Sequence, residues 1–284
     1  MKIIIGVLTV LICVFGGFMW SGGNLLALFH PPELLIIAGG ATGGFIIANP
    51  PSVIKAVTSG IPTLFSPSAY NKQFYLNLLS LLFELFNKAR KEGLMSLEAH
   101  IEEPDKSPIF TKYPAILKDH HVIEFITDYL RLMVTGAANA FEMENLMDME
   151  LETHHAEGHQ PSASVQTLAD GLPGFGIVAA VMGVVITMAS ITEGPEVIGA
   201  KVGAALVGTF VGILLAYGFA GPLAAALGFR SAEQSKCIEV IKVALLASLN
   251  GYSPQIAIEF GRKVIFNAER PGFLELEDYV KRKS

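Results

Sequence analysis

Four long stretches without a charged residue constrain this chain more than any other feature of its sequence. Each is long enough, or nearly so, for a helix that crosses a bilayer, which needs about 20 mostly apolar residues. The 284 residues are 51% hydrophobic and 16% charged, too apolar for an ordinary soluble domain of this length. We therefore predict an all-α, polytopic membrane protein. The predicted transmembrane helices cover about residues 3–20, 34–50, 172–192 and 200–227.

These helices predict a division into two membrane segments and two cytoplasmic ones. Residues 1–50 and 169–227 are each expected to form a transmembrane hairpin. The first apolar run is longer than the core of a signal peptide, and no A-x-A-like cleavage site follows it. Residues 51–168 have ordinary soluble composition with apolar positions three and four apart, which predicts a large helical cytoplasmic domain. Residues 228–284 are expected to form C-terminal cytoplasmic helices.

The distribution of basic residues predicts the orientation. Short cytoplasmic loops are rich in Lys and Arg, and the loops 21–33 and 193–200 contain neither. Lys2, Lys55 and Arg230 lie at the opposite ends of the spans, so both termini are expected in the cytosol. The net charge of −6 is divided between two cytosolic regions and gives no reason to expect nucleic acid as a partner.

Helix boundaries within the cytoplasmic segments are predicted from capping patterns. One helix ends in basic residues and is closed by Gly93, and Ser96 is expected to cap a short helix that begins near Glu98. Residues 120–158 are expected to form one helical stretch of about forty residues that runs towards the third span. A separate helix is predicted beyond Leu227.

Small residues recur every four positions in the fourth span. Ala204, Gly208 and Gly212 belong to this pattern, and Gly176 belongs to a similar one in the third span. Such stripes let helix backbones approach closely in lipid. Four residues advance about 400° around a helix, so the stripe drifts by about 40° at each step. The pattern predicts close helix packing; by itself it also fits any polytopic protein.

Two prolines are predicted at similar membrane depth near the cytosolic side. Pro173 stands at the expected start of the third span, where a proline is unremarkable. Pro222 stands inside an apolar pattern that continues beyond it, and an interior proline removes a backbone hydrogen bond and kinks the helix. The pair is interpreted either as a hinge at the mouth of a pathway or as plain packing.

The charge-free runs contain no ionisable group of the kind that usually marks a proton or ion pathway. If the chain conducts ions, the essential carboxylate must therefore come from another subunit. His154, His155 and His159 form no closed metal-ligand set, and no P-loop or nucleophile elbow is present. We predict no enzyme activity, no metal and no cofactor.

Four quoted segments resemble one family along almost the whole chain. They are "FGGFMWSGGNLLALFHPPELLIIAGG", "GLPGFGIVAAVMGVV", "VGTFVGILLAYGFAGPLA" and "LNGYSPQIAIEFGRK". The chain is similar to the stator subunits of the bacterial flagellar motor in the MotA/TolQ/ExbB proton channel family. The resemblance implies a homopentamer around a MotB-type partner, whose transmembrane helix carries the ion-accepting aspartate. It implies a multi-pass protein of the inner membrane, in contact with lipid, that conducts protons to generate torque.

The resemblance also implies roles for individual residues. Arg90 and Glu98 match positions that contact the rotor protein FliG, and Pro173 and Pro222 match prolines that couple ion passage to movement. Sodium-driven relatives carry a threonine where this sequence has Ala180. The fourth-span threonine is retained as Thr209, so the proton-driven branch is expected and a sodium-driven stator is the alternative.

Three other functions are weighed against this one. An ExbB- or TolQ-like energiser of outer-membrane transport is disfavoured by the four spans and the Arg90 and Glu98 pattern. A secondary transporter would carry intramembrane charges or inverted repeats. An intramembrane enzyme would need a nucleophile or a metal set within the spans. The sequence shows neither the charges or repeats of a secondary transporter nor the nucleophile or metal set of an intramembrane enzyme.

Overall fold

The computed structural model describes residues 2–136, 139–189 and 192–283, and every regular element in these ranges is helical. A π-turn at Ala216–Ala220 joins two of the helices, and four short 3₁₀ segments lie in connecting regions. The α-helices are α1 (Lys2–Trp20), α2 (Pro31–Ala48), α3 (Pro51–Thr63), α4 (Lys72–Glu92), α5 (Glu98–Glu102), α6 (Pro114–Leu117), α7 (His120–Thr135), α8 (Ala140–Ala189), α9 (Pro195–Leu215), α10 (Gly221–Leu249), α11 (Pro254–Val264) and α12 (Phe273–Lys283).

The chain forms two compact units, each built from two separate stretches of sequence. The first unit comprises Met1–Pro67 and Glu157–Arg230, and the second comprises Ser68–Ala156 and Ser231–Ser284. The first unit contains all residues of the two predicted hairpins. Where a bilayer begins and ends along these helices stays a prediction.

Four helices in the described residues have the length and composition to cross a membrane. They are Lys2–Trp20, Pro31–Ala48, Ala140–Ala189 and the continuous run Pro195–Leu249. Each overlaps one of the predicted spans. The second helix ends at Ala48, two residues before the predicted end at residue 50, and the third predicted span, 172–192, includes residues 190 and 191, which lie outside the described residues. The number of candidate spans predicted from hydropathy is therefore confirmed within the described parts of the chain.

The predicted starts and ends of these helices are wrong in two places. The helix α8 begins at Ala140, so Pro173 lies deep in its interior and not at a helix start. The run from Pro195 continues through a π-turn into α10, so the helix beyond Leu227 is not a separate element. Hydropathy detects where a helix is apolar, whereas a polar but helix-compatible sequence extends the same helix without a break.

The predicted single stretch at 120–158 is also wrong, because it consists of two helices. Gly136 adopts the left-handed conformation, with φ of 63°, and closes α7. Asn139 and Glu142 then form a capping box: each side chain accepts a hydrogen bond from the backbone N–H of the other, both at 3.0 Å. The signal was present as a glycine followed by Asn-x-x-Glu, the pattern that marks a helix start.

The second unit has a core of large side chains. Leu78, Leu82 and Leu85 of α4 are fully buried, and α7 and α10 bury leucine, isoleucine and aromatic residues in the same cluster. Burial of such side chains contributes about 1.5–3 kcal/mol each, which makes this core the main source of stability of the unit. Tyrosine hydroxyls at its edge donate to carboxylates, for example Tyr113 to Glu84 at 2.7 Å.

Candidate functional site

Three glycines bring α8 and α9 into backbone contact. A Cβ atom placed on Gly212 would lie 2.7 Å from the carbonyl oxygen of Leu172 and 3.0 Å from the Cα of Gly176. A Cβ atom on Gly176 would lie 2.9 Å from the carbonyl oxygen of Gly208. These atoms are backbone atoms that cannot rotate away, so a side chain at Gly176 or Gly212 would force the helices apart. The predicted packing residues Gly176, Gly208 and Gly212 therefore meet at one crossing.

The fourth predicted packing residue lies beside this crossing. Ala204 is half-buried, whereas its neighbour Ala205 is 2% exposed and approaches Gly183, where an added Cβ would lie 2.8 Å from that of Ala205. The drift of about 40° per four residues explains the change, because two steps along the stripe rotate the contact towards the next residue.

The predicted ion-pathway residues Ala180 and Thr209 lie at the same helix crossing. A Cβ atom on Gly176 would be 3.3 Å from the Cα of Thr209, and one on Gly208 would be 3.6 Å from the backbone nitrogen of Ala180. Both residues are half-buried. The glycine contact thus fixes the spacing of the helix faces that carry the two positions.

The segment "LPGFG", residues 172–176, contacts the first hairpin as well as α9. Phe175 projects from α8 towards α2, where a Cβ atom on Gly40 would lie 2.4 Å from its ring. The ring of Phe175 therefore fits where a side chain at position 40 would otherwise lie. The sequence contains both residues, but their pairing depends on how the helices cross, which periodicity alone does not determine.

A π-turn surrounds the second predicted hinge residue. The turn Ala216–Ala220 precedes Pro222, and the N–H of Gly221 donates to the carbonyl of Ala216, five residues earlier. A proline has no N–H and its ring clashes with the carbonyl one turn before it, so the backbone widens locally to avoid the clash. The result is a wide turn in a continuous helix. Pro173 lies inside α8, which also remains helical around it.

One carboxylate at the edge of the apolar helices was passed over by the sequence analysis. Glu33 lies in the first turn of α2, and its Oε2 atom is buried without a hydrogen-bond partner among the described residues. A helix N-terminus favours negative charge, which offsets part of the cost. Such a group is expected to find a partner when the chain is assembled, since a buried polar atom left unpaired is costly.

Arg90 and Glu98 lie in the second unit on either side of a tight connection. Arg90 is exposed in the last turn of α4, and Glu98 is exposed at the first position of α5. Gly93, with φ of 86°, closes α4 as predicted, whereas the predicted cap at Ser96 is wrong. The Ser96 hydroxyl instead donates to the carbonyl of Gly93 at 2.6 Å, within a 3₁₀ turn.

The two charges are free to meet an external partner. Neither Arg90 nor Glu98 forms an ion pair with any other described residue. Arg90 also borders a cavity of about 240 Å³ together with Phe86 and Tyr252. Near Glu98, burial and then the charge of Lys88 hold the pKa of His100 below its usual value, which favours the neutral imidazole.

Within the described ranges, no group of three His, Cys, Asp or Glu side chains is arranged to hold an ion. His154 instead lies 3.2 Å from the hydroxyl of Ser235 and packs edge-on against His121.

Comparison with known proteins gives a consistent class. Residues 4–93 match the family model described as Motility protein A N-terminal, and residues 118–240 match the MotA/TolQ/ExbB proton channel family. Among curated proteins, Motility protein A of Escherichia coli is 50% identical over 281 residues, which cover 99% of this chain and 95% of that protein. Chemotaxis protein LafT of Vibrio parahaemolyticus is 42% identical over 280 residues, covering 99% and 98%.

Two solved structures share the fold. One is titled "Structure of C. jejuni MotAB", with a TM-score of 0.79 and 20% identity over 95% of this chain and 97% of that chain. The other is titled "Structure of the flagellar MotAB stator complex from Bacillus subtilis", with a TM-score of 0.76 and 24% identity over 95% and 98%. The class defined by fold and sequence is that of the polytopic proton channel proteins. Within it, the chain belongs to the Motility protein A family.

Proposed function

We propose that this chain is the ion-conducting stator subunit of a bacterial flagellar motor, which couples proton flow to torque on the rotor. The observation that carries the proposal is the 50% identity to Motility protein A along 99% of the chain. The proposal assigns conduction and force transmission to this chain, with no covalent catalysis.

The ion-accepting group is assigned to a partner subunit. The charge-free runs 3–20, 34–48, 172–192 and 202–227 contain no carboxylate, although a proton pathway needs a titratable group. A MotB-type partner with one transmembrane helix and an aspartate would supply it. Ala180 offers no hydroxyl, whereas a sodium ion needs several oxygen ligands and a proton needs only a carboxylate and transient water. Protons are therefore the proposed ion, with the hydroxyl of Thr209 as a polar contact on the path.

The energy of one proton is enough to move a two-state element. One charge that crosses a potential of 100 mV supplies about 2.3 kcal/mol. This free energy changes the ratio of two conformations by about fiftyfold, since about 1.4 kcal/mol corresponds to a factor of ten. Each proton can therefore bias one step between two positions of the subunit ring.

The helix pair suggests where movement originates. The glycine crossing at Gly176 and Gly212 keeps α8 and α9 in backbone contact, so this part is expected to move as one body. Pro173 and Pro222 each remove a hydrogen bond from a helix, and the π-turn before Pro222 lowers the cost of bending further. These two positions are the proposed points of bending.

The exposed charges Arg90 and Glu98 are the proposed contacts with the rotor protein FliG. Exposed charges contribute more to encounter and orientation than to affinity, which suits a partner that must be released at each step. Their exposure, and the absence of ion pairs to other described residues, support this role.

Assembly and location follow from the exposed apolar surface of the first unit. Ile12, Val185 and Ile186 are among many large apolar side chains that are more than half exposed in the isolated chain. A surface of this kind is expected to be covered by lipid and by neighbouring subunits. We propose a homopentamer in the inner membrane with both termini in the cytosol.

The experiment measures swimming speed in a strain that depends on this chain and its MotB-type partner. Removal of sodium at constant pH is expected to leave swimming unchanged, and a protonophore is expected to stop it. Speed that follows external sodium would replace the proton with sodium as the driving ion. Motility that is unaffected by deletion of the chain would overturn the stator function and favour an ExbB- or TolQ-like role.

A further inference from the structure

An apolar groove runs along α1 in the first unit. One side is formed by α1 from Lys2 to Val10, and the other by the segment from Gly218 to Phe229, which includes the end of the π-turn and Pro222. We call it the α1 groove. Its volume is about 470 Å³, within the range of about 300–1,000 Å³ that is typical of small-molecule sites.

The two sides of the groove are in contact at Val10 and apart at Gly6. At Gly218, an added Cβ atom would lie 3.2 Å from Cγ1 of Val10, so the two sides are in contact there. At Gly6, one turn closer to the N-terminus, an added Cβ atom would meet nothing within 4 Å. The groove is therefore open beside Gly6, and Lys2 is the only charged residue among the twelve described residues that line it.

The size of the groove favours an acyl chain over a whole helix as its occupant. A helix with side chains is about 10–12 Å across and rises about 5.4 Å per turn, so a volume of this size would hold roughly one turn. A linear acyl chain is much narrower and can occupy the full length between Val10 and Lys2.

The charge at the mouth determines which lipid is favoured. Lipid tails are as apolar as the groove, so an acyl chain gains little from leaving the bilayer for it. Selectivity must come from the headgroup, and no carboxylate lines the groove to repel a phosphate from Lys2. We propose that the α1 groove binds one anionic phospholipid, with its phosphate on Lys2 and an acyl chain beside Gly218 and Pro222.

This site would place a lipid against the widened turn of the helix. Phe219 belongs to the π-turn and Pro222 follows the turn by two residues, and both line the groove. The lipid would therefore contact the chain where bending is easiest. The proposal does not depend on which ion the chain conducts, so it can fail while the stator function holds.

The single tryptophan of the chain provides a direct test. The variant Trp20→Phe/Phe219→Trp moves the only indole from the exposed end of α1 into the groove. The full-length chain is reconstituted in phosphatidylcholine bilayers that contain a small fraction of brominated phosphatidylglycerol or brominated phosphatidylcholine, and fluorescence quenching is measured. We expect phosphatidylglycerol to associate with the groove about fivefold more strongly than phosphatidylcholine, because one basic residue lies close to the anionic headgroup.

Three matched variants separate the site from general lipid contact. Lys2→Gln should remove the preference, Lys2→Arg should keep it, and Lys55→Gln should leave it unchanged, because Lys55 is exposed outside the groove. A tryptophan at Ile12, which is 68% exposed, should report bulk lipid without preference. If Phe219→Trp fails to insert, Phe229→Trp carries the same measurement, since Phe229 also lines the groove.

Two results would overturn the proposal. Equal quenching by the two brominated lipids would mean that the groove does not select a headgroup. Quenching by neither lipid, with normal quenching at Ile12, would mean that protein, such as a second copy of the chain, fills the groove.

Discussion

The two units of this chain bury opposite kinds of residue. In the second unit the core consists of large side chains, with Leu82 among several that are fully buried. In the first unit the buried positions along α8 and α9 are mostly alanine and glycine, whereas large side chains such as Ile177 and Val185 are exposed. Large apolar side chains stabilise a protein by leaving water, a gain that disappears where the surroundings are lipid. Close backbone contact then becomes the main means of holding helices together.

The largest effect is expected from a cavity in the second unit. Leu82→Ala removes a side chain that is 0% exposed and should lower the free energy of unfolding by about 2–5 kcal/mol. Chemical denaturation of the full chain in micelles, followed by circular dichroism, measures it. Leu274→Ala is the control, because Leu274 is 71% exposed and should change stability very little. Equal effects of the two variants would contradict the description of this core.

The reverse change should damage the first unit. Gly212→Ala adds one methyl group 2.7 Å from a backbone carbonyl oxygen and should cost about 1–3 kcal/mol by overpacking. Gly203→Ala, in the same helix, adds the same methyl group where nothing lies within 4 Å. Gly203→Ala should therefore be neutral or stabilising, since alanine is the better helix former. Thermal denaturation in micelles separates the two variants, and an equal change of stability at both would contradict the backbone contact at Gly212.

These contrasts show how much could be predicted from sequence. Hydropathy was sufficient to locate four apolar helices, because a long apolar run in a membrane protein has few other solutions. Hydropathy could not locate the start of α8 or the end of α10. Polar residues that tolerate helix geometry extend both helices beyond their apolar runs. The break at Gly136 and the start at Asn139 do carry local signals, a glycine that ends one helix and an Asn-x-x-Glu capping box that begins the next.

The candidate site was predicted to a similar extent. Periodicity selected Gly208 and Gly212 on the correct face of α9 but selected Ala204 where Ala205 makes the contact, because the stripe rotates along the helix. Pro222 predicted an irregular helix without specifying its form, since a proline can kink a helix or widen a turn. The pairing of Phe175 with Gly40 depends on tertiary geometry and left no local signal.

A smaller effect is expected at the polar edge of the second unit. The hydroxyl of Tyr70 donates to a carboxylate oxygen of Asp119 at 2.7 Å. Tyr70→Phe should lower the free energy of unfolding by about 1.5 kcal/mol, the lower end for a hydrogen bond to a charged group. Asp119→Asn, which keeps an acceptor at this position, should cost less than Tyr70→Phe.

The same tyrosine should make stability depend on alkaline pH. Burial, followed by the hydrogen bond to Asp119, raises the pKa of Tyr70 far above its usual range. The stabilising contribution is therefore complete below the unfolded pKa of about 10 and is lost as the pH rises above it. Unfolding midpoints between neutral pH and pH 11 should fall less steeply in Tyr70→Phe. Identical slopes for the wild type and the variant would contradict the shift.

The smallest effect on stability should accompany the largest effect on rotation. Arg90→Glu reverses an exposed charge and should change the free energy of unfolding by about 1 kcal/mol at most. Its neighbour Lys91 is also exposed in the last turn of α4, so Lys91→Glu is the matched control. Rotation speed of tethered cells should fall for Arg90→Glu and remain near normal for Lys91→Glu. Equal loss in both would indicate a general dependence on charge.

The π-turn at Ala216–Ala220 has a consequence for how a helix can turn without breaking. A π-turn amounts to one extra residue inserted into an α-helix. If that extra residue migrates along the chain by one position, the side chain it passes swings by about 100°, while both ends of the helix stay in place. Such a travelling defect can re-aim groups one at a time inside a tightly packed bundle, much as a dislocation lets a crystal slip without separating its planes.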